Sequence, residues 1–257
     1  MNAFQAQYVA PISGSKKPTL LFIAGLWSQA DTWTAWQNLA SQQGYESWAL
    51  TLQPKNGDTT LKDYKEYVVK FLEYLKQELG VNPIIIGHSM AGLVTQMIAA
   101  YQKVPAVVLL NSAAPAGINN LSLQMFLRTW KHLRKIFGDR LFIPSLADTK
   151  ALMFNNLTHL NAAETLTYYQ ELLPDAGRAT REILLGTVAV KSTFCPTLVI
   201  GGRHDKLLPA RIQRKLAVKY SAPYHEIDHG HVTMLEPGSE LVLYHILQWI
   251  EEIRQEL

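Results

Sequence analysis

The stretch Gly87-His88-Ser89-Met90-Ala91-Gly92 decides how this chain is read. It follows Asn82-Pro83-Ile84-Ile85-Ile86, a run that is short, β-branched and apolar. A strand covered on both faces has that composition. After the serine, Leu93, Val94, Met97, Ala100 and Tyr101 recur at spacings of three and four, which predicts a helix beginning within a residue or two of Ser89. Small residues at 87, 91 and 92 allow a tight turn between the two elements. A serine at such a corner can raise its hydroxyl above the sheet, where the unpaired amides of the helix N-terminus can receive a developing negative charge. A glycine-flanked strand end with a solvated serine is the plainer alternative, and the rest of the chain has to separate the two.

The chain has 257 residues, 48% of them hydrophobic, enough to bury a large core in one domain. The formal net charge is only +3, and the basic residues are dispersed apart from one segment, so nothing calls for nucleic acid. A single cysteine, Cys195, excludes an internal disulfide and is expected to be an inert thiol before Pro196. The sequence offers neither a basic-then-apolar N-terminus nor an apolar run of membrane-spanning length, so a cytoplasmic protein is the default expectation. No repeat or low-complexity tract is visible, and the sequence is silent on oligomeric state.

Taken in order, strands alternate with helices, the pattern of a parallel sheet covered on both faces. Phe4 to Val9 is expected as an edge strand, Gly14 to Pro18 as a turn and Thr19 to Ala24 as a buried strand. Trp33, Trp36, Leu39 and Ala40 mark a helix ended by Gly44, and Tyr45 to Leu52 is the next strand. Thr60 with Asp63 forms a capping box before a helix that carries Leu61, Tyr64, Val68, Phe71, Leu72, Leu75 and Leu79 and stops at Gly80. Further strands are expected at Ala106 to Asn111, at Thr197 to Ile200 and at Tyr224 to Ile227, with a helix opened by Pro209.

The serine turn resembles the nucleophile elbow of the α/β-hydrolase family, Gly-x-Ser-x-Gly, with Ala91 in place of the last glycine and Gly92 directly after. Gly25-Leu26-Trp27 is similar to the family's early loop, in which the residue after a His-Gly pair lends its amide to the oxyanion hole. Here Ala24 stands where the histidine would be. Gly202-Arg203-His204-Asp205 followed by Pro209 resembles the segment that delivers the triad acid. His229-Gly230-His231, then an apolar run to Glu236-Pro237, resembles the segment that delivers the histidine, and that alignment selects His231 over His229 and His204. Ser89, Asp205 and His231 thus occur in the family's order, each where a strand gives way to a loop. Asp228, beside the histidine loop, is the competing acid.

The resemblance implies an α/β-hydrolase fold with core residues 1–115 and 196–257 and a helical cap inserted over 116–195. In the cap, Leu123, Phe126, Leu127, Trp130, Leu133 and Phe137 form an apolar stripe, with Arg128, Lys131, Arg134 and Lys135 opposite; Ala147 to Phe154 and Ala162 to Leu173 are further helices. A stripe packed on the core is favoured over a lid that touches lipid. The family implies Ser89 as nucleophile, His231 as base and Asp205 as its orienting acid, with the backbone amides of Leu26 and Met90 as oxyanion hole. His88 is read as packing support. Trp27, Phe126 and Trp130 are the expected substrate-binding residues. The expected activity is hydrolysis of an apolar small-molecule carboxylic ester without metal or cofactor. The alternatives are the same triad used for carbon-carbon bond hydrolysis, lactone opening, perhydrolysis or lyase chemistry, or a binding protein that kept the pocket.

Overall fold

The computed structural model describes residues 4–12, 17–121, 123–154 and 161–256. The chain begins with β1 (Ala6–Val9), β2 (Leu20–Ile23), α1 (Thr34–Gln42), β3 (Ser47–Leu50), α2 (Leu61–Leu79), β4 (Ile84–His88), α3 (Met90–Ala99) and β5 (Val107–Leu110). After β5 come α4 (Leu123–Thr129), α5 (Leu133–Phe137), β6 (Leu141–Phe142), α6 (Leu146–Leu152), α7 (Ala162–Gln170), β7 (Asp175–Ala176) and α8 (Gly177–Leu185). It returns through β8 (Thr197–Gly202), α9 (Ala210–Tyr220), β9 (Tyr224–Ile227) and α10 (Ser239–Glu256).

Among the described residues, seven strands form one sheet in the order β1-β3-β2-β4-β5-β8-β9. All neighbours are parallel except β1, which pairs antiparallel with β3. Side chains alternate across a strand, so each strand feeds two cores. Leu21, Ile23, Ile85, Val107 and Leu109 pack with the apolar stripe of α2 and with Ile212 and Leu216 of α9. Leu20, Phe22, Ile86, Val108 and Leu110 pack with Trp33, Trp36 and the Leu243–Ile250 face of α10. From β2 the chain passes to β3 on one side and then crosses to β4 on the other. The loops after β2 and β4 therefore diverge over a crevice at the carboxyl edge, the place where open α/β sheets receive ligands. Gly25 follows β2 and Ser89 follows β4.

The expected boundaries move at several points. The strand expected at 45–52 narrows to Ser47–Leu50, and most of the turn expected at 14–18 lies outside the described residues. The segment between β5 and β8 was expected without strands, yet β6 and β7 form a small antiparallel ribbon, Leu141 opposite Ala176 and Phe142 opposite Asp175. Two residues per strand carry no periodicity for a sequence to display. No helix among the described residues is long and apolar enough to cross a membrane.

The helix α2 shows how local chemistry sets an element's ends. Thr60 Oγ1 accepts the Asp63 amide at 3.1 Å, Asp63 Oδ2 accepts the Thr60 amide at 2.8 Å, and Gly80 closes the helix at φ 67°. Thr60→Ala removes the reciprocal cap and is expected to lower unfolding free energy by about 1 kcal/mol in urea titration, with activity unchanged. An unaltered urea midpoint would show that tertiary packing alone holds this helix end.

Candidate active site

Ser89 sits between β4 and α3 at φ 55° and ψ −122°. A non-glycine residue there carries strain of about 1–3 kcal/mol and persists only where its surroundings over-determine it. The Ser89 amide donates to the Leu110 carbonyl at 3.1 Å, and its carbonyl accepts the Gly92 and Ala113 amides, both at 3.0 Å. Crowding sets the glycines: a Cβ on Gly25 would lie 2.8 Å from Ser89 Cβ, and one on Gly87 would lie 2.7 Å from the Ala91 carbonyl. Ala91, by contrast, is accommodated fully buried.

Two side chains complete a line with the serine. His231 Nε2 lies 3.0 Å from Ser89 Oγ, and His231 Nδ1 lies 2.8 Å from Asp205 Oδ2. The other Asp205 oxygen accepts the amides of Leu207 and Leu208 at 2.8 Å each, so the loop after β8 holds the carboxylate in one orientation. Asp205 is 3% exposed and His231 1%. Asp228 is turned to solvent instead, paired with His204 at 2.8 Å and with Arg203.

The histidine loop is held by its backbone. His88 Nε2 donates to the His231 carbonyl at 2.8 Å, and burial pushes His88 down to about 3, which keeps its ring neutral. Asn111, at the end of β5, donates from Nδ2 to the Gly230 and His231 carbonyls at 3.0 and 2.8 Å, and its Oδ1 accepts the Gly202 amide at 2.7 Å. Both Glu236 oxygens accept the Gly230 amide, at 2.9 and 3.0 Å. Sequence reading missed Asn111 and the role of Glu236. The available signal for Asn111 was an amide side chain at the end of an apolar strand, a residue type that tolerates its φ of 45°.

A void of about 50 Å³ lies over Ser89, lined among others by Leu26, Met90, Met125 and Thr180. Among the described residues the amides of Leu26 and Met90 have no hydrogen-bond partner, and both residues face this void. A second void of about 30 Å³ shares Trp27, Thr129, Thr180 and Leu207 with the first and reaches His132 and Phe142. Trp27 stands between them at φ 64°.

The sequence profile of the alpha/beta hydrolase family matches residues 20–242. The chain belongs to the alpha/beta hydrolase family. Similar solved structures include a monoacylglycerol lipase from Paleococcus ferrophilus, 19% identical over 96% of this chain and 98% of that one, at a TM-score of 0.69. An enol-lactonase from Burkholderia xenovorans is 17% identical over 97% and 98%, at 0.72. A thermophilic esterase from Thermogutta terrifontis, with malate bound, is 18% identical over 96% and 93%, also at 0.72. No protein with a curated description matches the sequence. The protein is thus a hydrolase by family, with esterase and lipase folds among its neighbours.

In this alpha/beta hydrolase the segment between β5 and β8 presents a different face from the one expected. Leu127, Trp130 and Phe137 are 57%, 62% and 56% exposed, so these three members of the apolar stripe are not packed on the core, and Trp130 lines neither void. The Phe126 side chain lies outside the described residues. The inward face runs through Met125, Thr129, His132 and Ile136, spaced by four, three and four. It contains polar residues because Asp148, 1% exposed and carried by α6, accepts from His132 at 3.3 Å and pairs with Lys131 at 2.7 Å. A polar residue buried against such a partner is invisible to a hydrophobic pattern.

Glu236 generates a pH test. Burial pushes its carboxyl up from 4.5 to about 7, opposed by the Gly230 amide and reinforced by nearby Asp205. A pKa raised on folding means the native state holds the proton more tightly, so this contribution to stability is complete below pH 4.5 and lost as pH rises through 7. The unfolding free energy of the wild type relative to Glu236→Gln is expected to fall by roughly 2–4 kcal/mol from pH 4.5 to 8. A pH-independent difference between the two proteins would contradict it.

Proposed function

We propose that this hydrolase cleaves a carboxylic ester of a small apolar molecule through an acyl-enzyme, with Ser89 as nucleophile, His231 as general base and Asp205 as the acid that orients it. The observation that carries this reading is the continuous line from Asp205 Oδ2 through the imidazole to Ser89 Oγ, 2.8 and 3.0 Å, beside two unpaired amides. A serine hydroxyl is a weak nucleophile at neutral pH, so His231 Nε2 takes its proton as Oγ attacks the acyl carbon. Asp205 holds Nδ1–H, selecting the tautomer whose Nε2 is free to accept, and stabilises the imidazolium that forms. The oxyanion meets the amides of Leu26 and Met90, each worth about 3 kcal/mol in the transition state. His231 returns the proton to the leaving alcohol, and water then repeats the sequence on the acyl-enzyme.

Residues 116–195 act in this reading as a cap over the serine. The void over Ser89, about 50 Å³, is far smaller than the several hundred Å³ of a drug-sized pocket, which favours a short acyl group. A longer chain has to pass the wall of Trp27, Thr129, Thr180 and Leu207 into the second void. The lining is apolar, so preference among acyl groups comes from burial, at about 25 cal/mol per Å².

Fluorophosphonate labelling tests the nucleophile: one adduct on Ser89 is expected, and Ser89→Ala is expected to remain folded while losing both label and turnover. Asp205→Asn is expected to lower kcat by about 10³ to 10⁴, and Asp228→Asn to change it less than twofold. The reverse ranking of the two aspartates would transfer the acid role to Asp228. Thr129→Ala thins the wall between the voids and is expected to raise kcat/KM for nitrophenyl hexanoate over acetate by about three- to tenfold. An unchanged acyl profile across acetate, butyrate and hexanoate would place the acyl path elsewhere.

A further inference from the structure

Three hydrogen bonds from the inserted segment converge on Trp27. Its amide donates to Asp175 Oδ2 at 3.0 Å, its carbonyl accepts the Leu173 amide at 2.9 Å, and its indole Nε1 donates to the Phe142 carbonyl at 3.0 Å. The Phe142 ring also stands edge-on to the indole, with centroids 5.5 Å apart. Residues from β6, β7 and the turn before β7 therefore hold one left-handed residue of the core loop. The preceding residue is Leu26, whose free amide faces the void over Ser89.

Asp175 is an unusual choice for such a contact. It is 2% exposed, and among the described residues no lysine, arginine or histidine pairs with it. Its partners are the Tyr64 hydroxyl, its own Ala176 amide at 2.7 Å and the Trp27 amide. Burial pushes the carboxyl up to about 6, against these three donors. Fastening the segment to α2 needs only a neutral acceptor, and a desolvated carboxylate is an unfavourable way to supply one. A charge-assisted bond to Trp27, however, fixes the peptide plane between Leu26 and Trp27 more stiffly than a neutral bond does. The neighbouring Gly25–Leu26 plane carries the Leu26 N–H, and its carbonyl accepts the Ser28 amide at 3.3 Å, so a fixed Trp27 holds the short turn that aims that N–H at the serine.

We infer that Asp175 is the positioning residue of the oxyanion loop, so that the inserted segment completes the catalytic centre instead of only roofing it. The carboxylate acts through Trp27 and touches no substrate. The Leu26 amide is aimed before substrate arrives, which is the condition under which a donor favours the transition state over the ground state. This inference rests on the serine-hydrolase reading above.

The test compares full-length wild type, Asp175→Ala, Asp175→Asn and Tyr64→Phe with nitrophenyl acetate and with a trifluoromethyl ketone, which forms an oxyanion on an active serine. Asp175→Ala is expected to lower kcat and ketone affinity together by about 30- to 100-fold while KM stays within threefold, the pattern of a lost transition-state contact. Asp175→Asn keeps a neutral acceptor for the Trp27 amide without the charge, and is expected to recover only part of that loss. Tyr64→Phe removes a fastening contact but not the Trp27 bond, and is expected to stay within threefold in kcat despite a lower melting temperature. Should Asp175→Ala fail to fold, Asp175→Ser takes its place, since its hydroxyl can meet the Ala176 amide but is too short for Trp27. Unchanged ketone affinity in Asp175→Ala, or a Tyr64→Phe loss as deep as that of Asp175→Ala, overturns the inference and leaves Asp175 a staple. Turnover and ketone binding that survive Ser89→Ala would defeat the underlying reading as well; a Ser89-dependent enzyme indifferent to Asp175→Ala defeats this inference alone.

Discussion

Backbone strain at the carboxyl edge of the sheet is the constraint on which the rest of this molecule depends. Trp27, Ser89 and Asn111, after β2, β4 and β5, are three of the five non-glycine residues with positive φ among the described residues. Each unfavourable conformation survives because hydrogen bonds from other elements close around it. The Ser89 carbonyl takes two amides, the Asn111 side chain joins the end of β8 to the histidine loop, and Trp27 is held by three hydrogen bonds from the segment between β5 and β8. Strain of this kind needs a rigid frame, which the buried parallel sheet supplies through its two cores.

The histidine loop shows a division of labour between backbone and side chain. His88, Asn111 and Glu236 bind the main chain of Gly230 and His231, leaving the His231 ring nitrogens to Asp205 and Ser89. A ring oriented through its backbone keeps both nitrogens in line, with the His88 ring packed beside it at a centroid distance of 4.8 Å. His88 also fills the space beside Gly25, and its neutral state avoids a second positive charge next to the proposed base.

The segment between β5 and β8 is tied to the loop after β2 by polar contacts. Ser28 Oγ meets the Tyr168 hydroxyl at 2.8 Å, and Gln29 reaches the Glu171 carbonyl at 2.6 Å, adding to the bonds on Trp27. Its own interior is organised around Asp148, whose buried carboxylate gathers Lys131, His132 and Arg128. Directional contacts hold geometry more sharply than apolar burial does, which suits a segment that lines a site only tens of Å³ in volume.

The amino-acid sequence by itself determined the alternation of strands and helices, the serine turn and the capping box of α2, because each rests on neighbours within about ten residues. It also nominated Ser89, Asp205 and His231 through the resemblance of their three segments to those of the family, each at the end of a strand that a parallel sheet brings to one edge. Only the tertiary structure shows that Asp205 lies against the His231 imidazole while Asp228 is turned to solvent beside His204. It alone revealed Asn111, Glu236 and Asp175, and it turned the α4–α5 segment so that Thr129 and His132, not Trp130, face inward. Apart from Glu236, whose partner Gly230 belongs to the same loop, the deciding partner in these cases is a polar group on another element. Where the deciding partner is remote in sequence, as Asp175 is from Trp27, no local pattern of hydrophobicity or spacing can register the bond.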